Sequence, residues 1–254
     1  MPPVASMPAR LYPRTQHPAM SSHDRSPNPL KRALDALMAR MHGPVYRTRI
    51  TGLVAAIQPH LQENDTVLDI GCGFGDLGRA LMDHPDSPQG LVVRGIERAP
   101  RPGAKIEIDA YPGDKLPYDD NHFDAVIIAD VLHHEPQPDN LLAEAARVAK
   151  RRLIIKDHQV KGPLAQPRIS LMDWAANSPY GVPCLFQYPS PQGWEDQRNR
   201  LGLKPVEVRP GMQLYPAPYK WVFTPALQHF AVIDATSPTP APAGSPASTT
   251  PASA

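Results

Sequence analysis

The stretch VLDIGCGFGDLG, residues 67–78, decides the fold of this 254-residue chain. An apolar run ends at Asp69, and four glycines follow within eight positions. A short apolar run that leads into a glycine-rich turn is typical of a buried strand followed by the start of a helix. The stretch therefore predicts the first strand and the first crossover helix of a wound α/β sheet.

Similar short apolar runs recur along the chain, and helical patterns separate most of them. The runs are TVLDI (66–70), LVVRGI (91–96), KIEI (105–108), FDAVIIA (123–129) and RLIIK (152–156). Helical periodicity follows the first run at 75–83 and the fourth run at 138–150. Strands that alternate with helices predict a doubly wound α/β fold with right-handed crossovers.

Further elements flank this core on both sides. We expect helices at 30–41, at 46–61, around 169–177 and from Ser190 onward, and strands at 205–209 and 219–227. Ser190 is a favoured N-cap residue, and Pro191 fits the first helical turn. The two late strands are joined only by the loop PGMQLYPAP, so we expect them to pair antiparallel.

The two ends of the chain are poor in residues that a core could bury. Residues 1–29 are rich in proline, and residues 236–254 consist of Ala, Pro, Ser, Thr and Gly. Such segments cannot offset the entropy of ordering them. We therefore predict that both are disordered and that residues 30–235 form one domain.

The overall composition limits which partners the protein can bind and in which cellular compartment we expect it. The formal net charge of +1 argues against a dedicated nucleic-acid binder. Two cysteines imply no disulfide framework, which fits a reducing cytoplasm. No apolar run approaches the length of a membrane span or of a signal-peptide core. We expect a cytoplasmic protein that binds neither nucleic acid nor membrane.

Two motifs overlap in the glycine turn and favour different ligands. Gly73, Gly75 and Gly78 satisfy the G-x-G-x-x-G pattern of dinucleotide folds. Asp69 with Gly71, Gly73 and Gly75 satisfies D-x-G-x-G-x-G. A carboxylate at Asp69 would repel a pyrophosphate in the same turn. S-adenosylmethionine carries an ammonium and a sulfonium and has no phosphate, so the carboxylate favours that cofactor.

Glu97 supports an adenosine ligand. It follows the second apolar run, where a carboxylate can accept hydrogen bonds from both hydroxyls of a ribose. Enzymes that bind NAD use the same device, so Glu97 does not choose between the two cofactors. A purely structural alternative is that the glycines make a tight turn and the acids are solvated.

At these positions the chain resembles the class I S-adenosylmethionine-dependent methyltransferases. VLDIGCGFG is similar to their first motif, VRGIERA to their second, and LPYDDNHFDAVIIADVLHH to the stretch through their fourth strand. The resemblance covers about residues 44–157, and KDH and MDWAANSPYGV extend it loosely. It implies a Rossmann-like sheet of seven mostly parallel strands, with helices on both faces and the last strand antiparallel.

The resemblance also implies a function and a set of cofactor residues. The function is transfer of a methyl group from S-adenosylmethionine to an O, N or C atom of a small molecule. The implied cofactor-binding residues are Asp69, Gly71, Gly73, Gly75, Glu97, Asp109 and Asp130. Relatives often place an adenine-binding aspartate where this chain has Pro112. Asp109 and Asp114 are the available substitutes, and Asp109 lies closer to the end of the third strand.

The acceptor is expected near the loops after the fourth and fifth strands. Methyl transfer mainly requires alignment of the acceptor, and a hydroxyl or an acidic carbon also needs a base. His133, His134 and His158 lie in these loops, and we choose His133 and His158 as the catalytic bases. The alternative for each histidine is a hydrogen bond to a backbone carbonyl or a helix cap. Asp130 would orient the loop or meet the ammonium of the cofactor.

Other chemistries fit the sequence less well. DVLHH stands where enzymes that methylate base amino groups carry Asn or Asp, two prolines and an aromatic residue. Cys184 follows a proline, as in cytosine C5 methyltransferases, but a small buried thiol is the simpler interpretation. We assign no metal ligands. An NAD(P)-dependent oxidoreductase and a noncatalytic cofactor-binding scaffold stay open as alternatives.

Overall fold

The computed structural model describes residues 45–113, 115–177 and 183–236. The helix expected at 30–41, the segment 1–29 and residues 237–254 lie outside these ranges, as does Asp114. The predictions made for them stay predictions. Everything below concerns the described residues.

Seven strands form one sheet in the order β3-β2-β1-β4-β5-β7-β6. The strands are β1 (Thr66–Ile70), β2 (Val92–Glu97), β3 (Ile108–Ala110), β4 (Phe123–Ala129), β5 (Ala149–His158), β6 (Lys204–Arg209) and β7 (Gln228–Asp234). The first five strands pair in parallel, and β7 is antiparallel to both β5 and β6. The expected seven-stranded, mostly parallel sheet with an antiparallel last strand is confirmed.

Helices cover both faces of this sheet. They are α1 (45–57), α2 (Asp76–Asp83), α3 (Pro138–Val148), α4 (Ala165–Asn177), α5 (Pro191–Arg200) and the short α6 (Tyr219–Val222). Leu53 of α1, Leu81 of α2 and Ile169 of α4 belong to one buried cluster. Leu142 of α3 and Trp194 of α5 belong to a second cluster. No helix within the described ranges is long and apolar enough to cross a membrane.

Helix α5 begins directly after the N-cap residue that the sequence predicts. The Ser190 hydroxyl accepts a hydrogen bond of 3.0 Å from the Gly193 N–H, and Pro191 occupies the first helical turn. This N-cap satisfies one of the backbone donors that the first turn leaves unpaired. The predicted start of α5 is confirmed.

Two predicted strands were placed wrongly. The third strand begins at Ile108 rather than Lys105, because the Lys105 N–H is bonded to the Phe74 carbonyl instead of to β2. The predicted strand at 219–227 is instead α6 followed by a 3-10 turn at Pro225–Leu227. Pro225 has no N–H for a sheet, so pairing begins only at Gln228.

The strand order places a crevice at the carboxyl ends of β1 and β4. The chain leaves β1 toward β2 on one side and reaches β4 on the other, which makes this position a topological switch point. The glycine turn at 71–75 and the loop that starts at Asp130 both begin here. Sheets of this kind bind ligands in that crevice.

Candidate active site

The glycine turn joins β1 to α2 with three left-handed residues. Gly71, Gly73 and Gly75 have φ of 68°, 61° and 77°, which side chains disfavour. A Cβ atom on Gly71 would lie 2.5 Å from Val131, and one on Gly75 would lie 2.4 Å from Ile106. At Gly73 no described atom lies within 4 Å of that position. Two glycines therefore permit close packing, and Gly73 opens the backbone to a ligand.

Two carboxylates flank this open backbone from adjacent strand ends. Asp69 is only 2% exposed, and its Oδ2 atom has no hydrogen-bond partner among the described residues. Burial, followed by the charge of Glu97, raises the pKa of Asp69 to about 7. Glu97 accepts a hydrogen bond of 2.6 Å from the Gly73 N–H through Oε1, and burial raises its pKa as well.

A buried carboxylate without a partner is costly unless a cation or a hydrogen-bond donor reaches it. Oδ2 of Asp69 therefore fits the ammonium of a bound S-adenosylmethionine. With Oε1 of Glu97 engaged by the turn, Oε2 is left to accept from a ribose hydroxyl. The open position beside Gly73 lets such a ligand touch the backbone. The residues present thus fit the cofactor, and none of these features favours a pyrophosphate.

Asp109 lies in β3, but it is already engaged by other side chains. The Tyr118 hydroxyl donates a 2.7 Å hydrogen bond to it, and Arg94 lies 3.3 Å away. The carboxylate is therefore fixed against β2 and Tyr118 rather than left unpaired like Asp69. Its assignment to the adenine amino group stays a prediction.

Asp130, directly after β4, is held between two cations. Oδ2 accepts a 2.5 Å hydrogen bond from Arg49 of α1, and Oδ1 accepts one of 2.5 Å from Lys156 of β5. These charges hold the pKa of Asp130 well below its usual range, although burial alone would raise it. Asp130 also has a φ of 58°, a left-handed conformation that usually marks a constrained site. Of its two predicted roles, this pairing favours orientation of the loop over contact with the ammonium.

The two histidines chosen as bases lie side by side, with ring centroids 4.9 Å apart. Burial alone would lower the pKa of His133, but hydrogen bonds and charges from Asp157 and Asp173 outweigh it and raise the pKa to about 10. Burial lowers the pKa of His158 to about 3. A base works best with a pKa near the working pH, so neither ring is set up as a general base in the ligand-free protein.

Several buried polar groups around these histidines were missed from the sequence. Asp157 accepts a 2.6 Å hydrogen bond from His133 Nδ1, and Asp173 accepts one of 2.6 Å from the Tyr188 hydroxyl. Lys156 is fully buried. The available signal was the charged tripeptide KDH that ends the apolar strand β5. Charges in such a place must be paired or functional.

A cavity of about 320 Å³ opens beside His133. Its walls come from the loop after β4, the segment before α5, and α5 itself. They are Leu132, His133, Pro138, Gln187, Tyr188, Pro189, Trp194 and Gln197. The cavity is thus a separate space from the glycine turn.

Comparisons with known proteins agree with this geometry. A family model described as a methyltransferase domain matches residues 68–154, from β1 into β5. The ubiquinone/menaquinone biosynthesis C-methyltransferase UbiE of Allorhizobium ampelinum is 27% identical over 202 residues, which cover 68% of this chain and 76% of that protein. The family-model match and this relative support a class I S-adenosylmethionine-dependent methyltransferase. Its cofactor is S-adenosylmethionine.

Two further matches show how far the likeness of this methyltransferase extends. The protein of the same name from Burkholderia mallei strain SAVP1 is 31% identical over 119 residues, which cover 42% of this chain and 49% of that protein. Among solved structures, a chain of the complex between the Haloferax volcanii Trm112 methyltransferase activator and a methyltransferase has a TM-score of 0.59. It is 19% identical, and the match covers 80% of this chain and 96% of that one. At that identity the structural likeness concerns the fold alone.

Proposed function

We propose that this methyltransferase transfers the methyl group to a small-molecule acceptor, with Asp69, Gly71, Gly73, Gly75 and Glu97 holding the cofactor. The observation that carries the proposal is the buried, unpartnered Oδ2 of Asp69 next to the open backbone at Gly73. The relatives named as ubiquinone/menaquinone biosynthesis C-methyltransferases support a small-molecule acceptor. The atom that receives the methyl group can be O, N or C.

The cofactor residues divide into three roles. The carboxylate of Asp69 accepts from the ammonium, and Oε2 of Glu97 accepts from the ribose hydroxyls. The turn at Gly71, Gly73 and Gly75 lets the ligand lie against the backbone. When bound, the sulfonium supplies a methyl group that is already electrophilic. The protein's main task is then to align the acceptor, which contributes up to about 7–11 kcal/mol in intramolecular models.

The acceptor would approach over the ends of β4 and β5. There Arg49 and Lys156 hold the carboxylate of Asp130 by hydrogen bonds, so its position is fixed. His158 Nδ1 is buried and has no hydrogen-bond partner within the described ranges. We assign His158 as the ring that receives a hydrogen bond from the acceptor at Nδ1, and His133 as its neighbour that keeps it in place. Both roles stay proposals.

The test is transfer of labelled methyl groups from S-adenosylmethionine across a panel of quinols, phenols, amines and carboxylates. We expect turnover with at least one class, and loss of most of it in His158→Gln with little change in cofactor affinity. Half-buried His84, which follows α2, supplies the matched control, His84→Gln, which should turn over normally. Cofactor binding without transfer to any acceptor would favour the noncatalytic scaffold. Calorimetric binding of NAD in place of S-adenosylmethionine would reject the proposed cofactor site.

A further inference from the structure

Three potential metal ligands converge at the loop that follows β4, and the thiol of Cys184 lies beside one of them. His133 Nε2 lies 3.5 Å from Asp173 Oδ1, and His134 Nε2 lies 3.7 Å from the same oxygen. All three ligand atoms lie within 4.8 Å of one another. The sulfur of Cys184 lies 3.6 Å from Asp173 Oδ1. Two imidazoles, a carboxylate and a thiol form a ligand set that zinc favours.

The spacing of these atoms suits a metal ion at their centre. Zinc binds nitrogen and oxygen at about 2.0–2.2 Å and sulfur at about 2.3 Å, in tetrahedral geometry. Tetrahedral ligands at those lengths are separated by roughly 3.3–3.5 Å. The three separations measured to Asp173 Oδ1, of 3.5, 3.7 and 3.6 Å, are close to that geometry, and the ligand atoms of the two histidines lie within 4.8 Å of each other. Small side-chain movements would complete it.

Neighbouring groups already orient both imidazoles for binding. Nδ1 of His133 lies 2.6 Å from Asp157 Oδ1, and Nδ1 of His134 lies 2.9 Å from the Pro183 carbonyl oxygen. A metal-binding histidine usually donates its second ring N–H to a carboxylate or a carbonyl in this way. Each hydrogen bond places the proton on Nδ1 and turns Nε2 toward the centre of the cluster.

Burial supplies an independent indication that something occupies this position. His133 is 4% exposed, and its Nε2 has no hydrogen-bond partner among the residues that the structure describes. The side chain of Asp173 is fully buried. Its Oδ2 is oriented by the Tyr188 hydroxyl at 2.6 Å, and its Oδ1 accepts a 2.8 Å hydrogen bond from Asn177 Nδ2 and faces both imidazoles. A buried nitrogen aimed at an oriented carboxylate is what a metal ion would satisfy.

We propose that His133, His134, Asp173 and Cys184 bind one zinc ion. Binding releases to solvent the thiol proton of Cys184 and any proton on Nε2 of His133. The ion ties the loop after β4 to α4 and to the chain before α5, so it fixes the wall of the acceptor region. In the zinc-bound protein His133 is a ligand and is not available as a base. The site is separate from the glycine turn and does not depend on the identity of the acceptor.

Metal analysis of the full chain purified from zinc-supplemented cells gives the first test. We expect one zinc ion per chain in the wild type and in the surface control His84→Gln. His134→Gln and Asp173→Asn should contain roughly tenfold less or lower still. Equal zinc in the wild type and Asp173→Asn would overturn the proposal.

Cobalt substitution tests the ligands themselves and detects variants that fail to fold. After the zinc is removed with a chelator, Co²⁺ should give the visible absorption of a tetrahedral site together with a thiolate-to-cobalt band. Cys184→Ser should lose the thiolate band and keep the visible absorption. Unchanged affinity for S-adenosylmethionine would show that each variant is folded. A wild-type chain that neither retains zinc nor gives a tetrahedral cobalt spectrum would refute the site.

Discussion

Along the carboxyl edge of the sheet, the buried carboxylates at β1 and β2 differ from the one at β4 and β5 in whether cations compensate their charge. At β1 and β2, burial and the charge of Glu97 raise the pKa of Asp69 against the opposing charge of Arg49, and Oδ2 of Asp69 has no hydrogen-bond partner among the described residues. At β4 and β5, Asp130 is neutralised by Arg49 and Lys156 at hydrogen-bond distance. A protein can leave a buried carboxylate unpaired where a ligand will supply the cation. On the proposed function, the half of this edge at β1 and β2 binds the cofactor, and the half at β4 and β5 holds the loop after β4 in place.

The largest effect on stability is expected when the ion pairs of Asp130 at β4 and β5 are disrupted. Asp130→Asn removes the carboxylate that both cations share and leaves the buried Lys156 and the largely buried Arg49 without their counter-charge. We expect the free energy of unfolding to fall by about 3 kcal/mol, measured by urea denaturation, with little change in cofactor affinity. The double variant Asp130→Asn with Lys156→Met should recover part of the loss, because only Arg49 then lacks its counter-charge. A single variant as stable as the wild type would remove the distinction between the halves.

A methyl group added to the glycine turn after β1 should weaken the binding of S-adenosylmethionine more than it lowers the stability of the fold. Gly73→Ala places a Cβ where no described atom lies within 4 Å, at a φ of 61°. Left-handed strain costs roughly 1–2 kcal/mol of stability. Obstruction of the ligand adds about 2 kcal/mol, or roughly 30-fold in the dissociation constant of S-adenosylmethionine.

Gly162 offers a matched control for that variant. It also has a positive φ, of 93°, and an open Cβ position, but it lies in the loop after β5. Gly162→Ala should show a comparable stability loss with unchanged cofactor affinity. If both variants weaken binding equally, Gly73 has no special role as a ligand contact.

The raised pKa of Asp69 predicts how binding depends on pH. A proton competes with the cofactor's ammonium for the carboxylate, so affinity should fall by up to roughly tenfold per pH unit below about 7. The folding stability of the ligand-free protein depends on pH in the opposite direction. The stability that protonated Asp69 contributes is present below its ordinary pKa of 3.8 and is lost as the pH rises through about 7. Calorimetry from about pH 5.5 to 7 measures the first effect, and Asp69→Asn should give a flat profile.

Glu97→Gln should have the smallest effect. The amide oxygen can still accept from the Gly73 N–H, and the NH2 group that replaces Oε2 can donate to a ribose oxygen. We therefore expect a loss of only about 1 kcal/mol, or roughly fivefold in affinity. Because the charge of Glu97 helps to raise the pKa of Asp69, the midpoint of the pH profile should move to lower pH. A midpoint that stays in place would show that the two acids are not coupled.

The parts of the fold set by local patterns were predictable. Apolar runs such as TVLDI and FDAVIIA are buried on both faces of a parallel sheet, so their strands could be placed from the sequence. The final strand was misplaced, because Tyr219 and Trp221 alternate with polar residues as a strand would. The strand itself is the buried run at Gln228–Asp234, between β5 and β6. Its pairing with β5 is a long-range contact that no local pattern specifies.

In the candidate site, too, some residues were predictable from local patterns and others depend on long-range contacts. Asp69, Glu97 and the glycines follow directly from short motifs, since turn and strand ends are local features. The partners of Asp130 come from α1 and β5, 81 and 26 residues away along the chain. Asp157 and Asp173 meet His133 only after β5 and α4 have packed. Charges that pair through tertiary packing carry no spacing signal in the sequence.

The most direct test of the central claim compares two ligands that share the adenosine and differ in their cationic part. Wild type and Asp69→Asn are titrated calorimetrically with S-adenosylmethionine and with 5′-methylthioadenosine, a neutral thioether that lacks the ammonium, the carboxylate and the sulfonium charge. The account predicts that the substitution weakens S-adenosylmethionine by at least about 2 kcal/mol, roughly 30-fold, and leaves methylthioadenosine within a factor of about two. Equal losses for both ligands, or no loss for either, would contradict it.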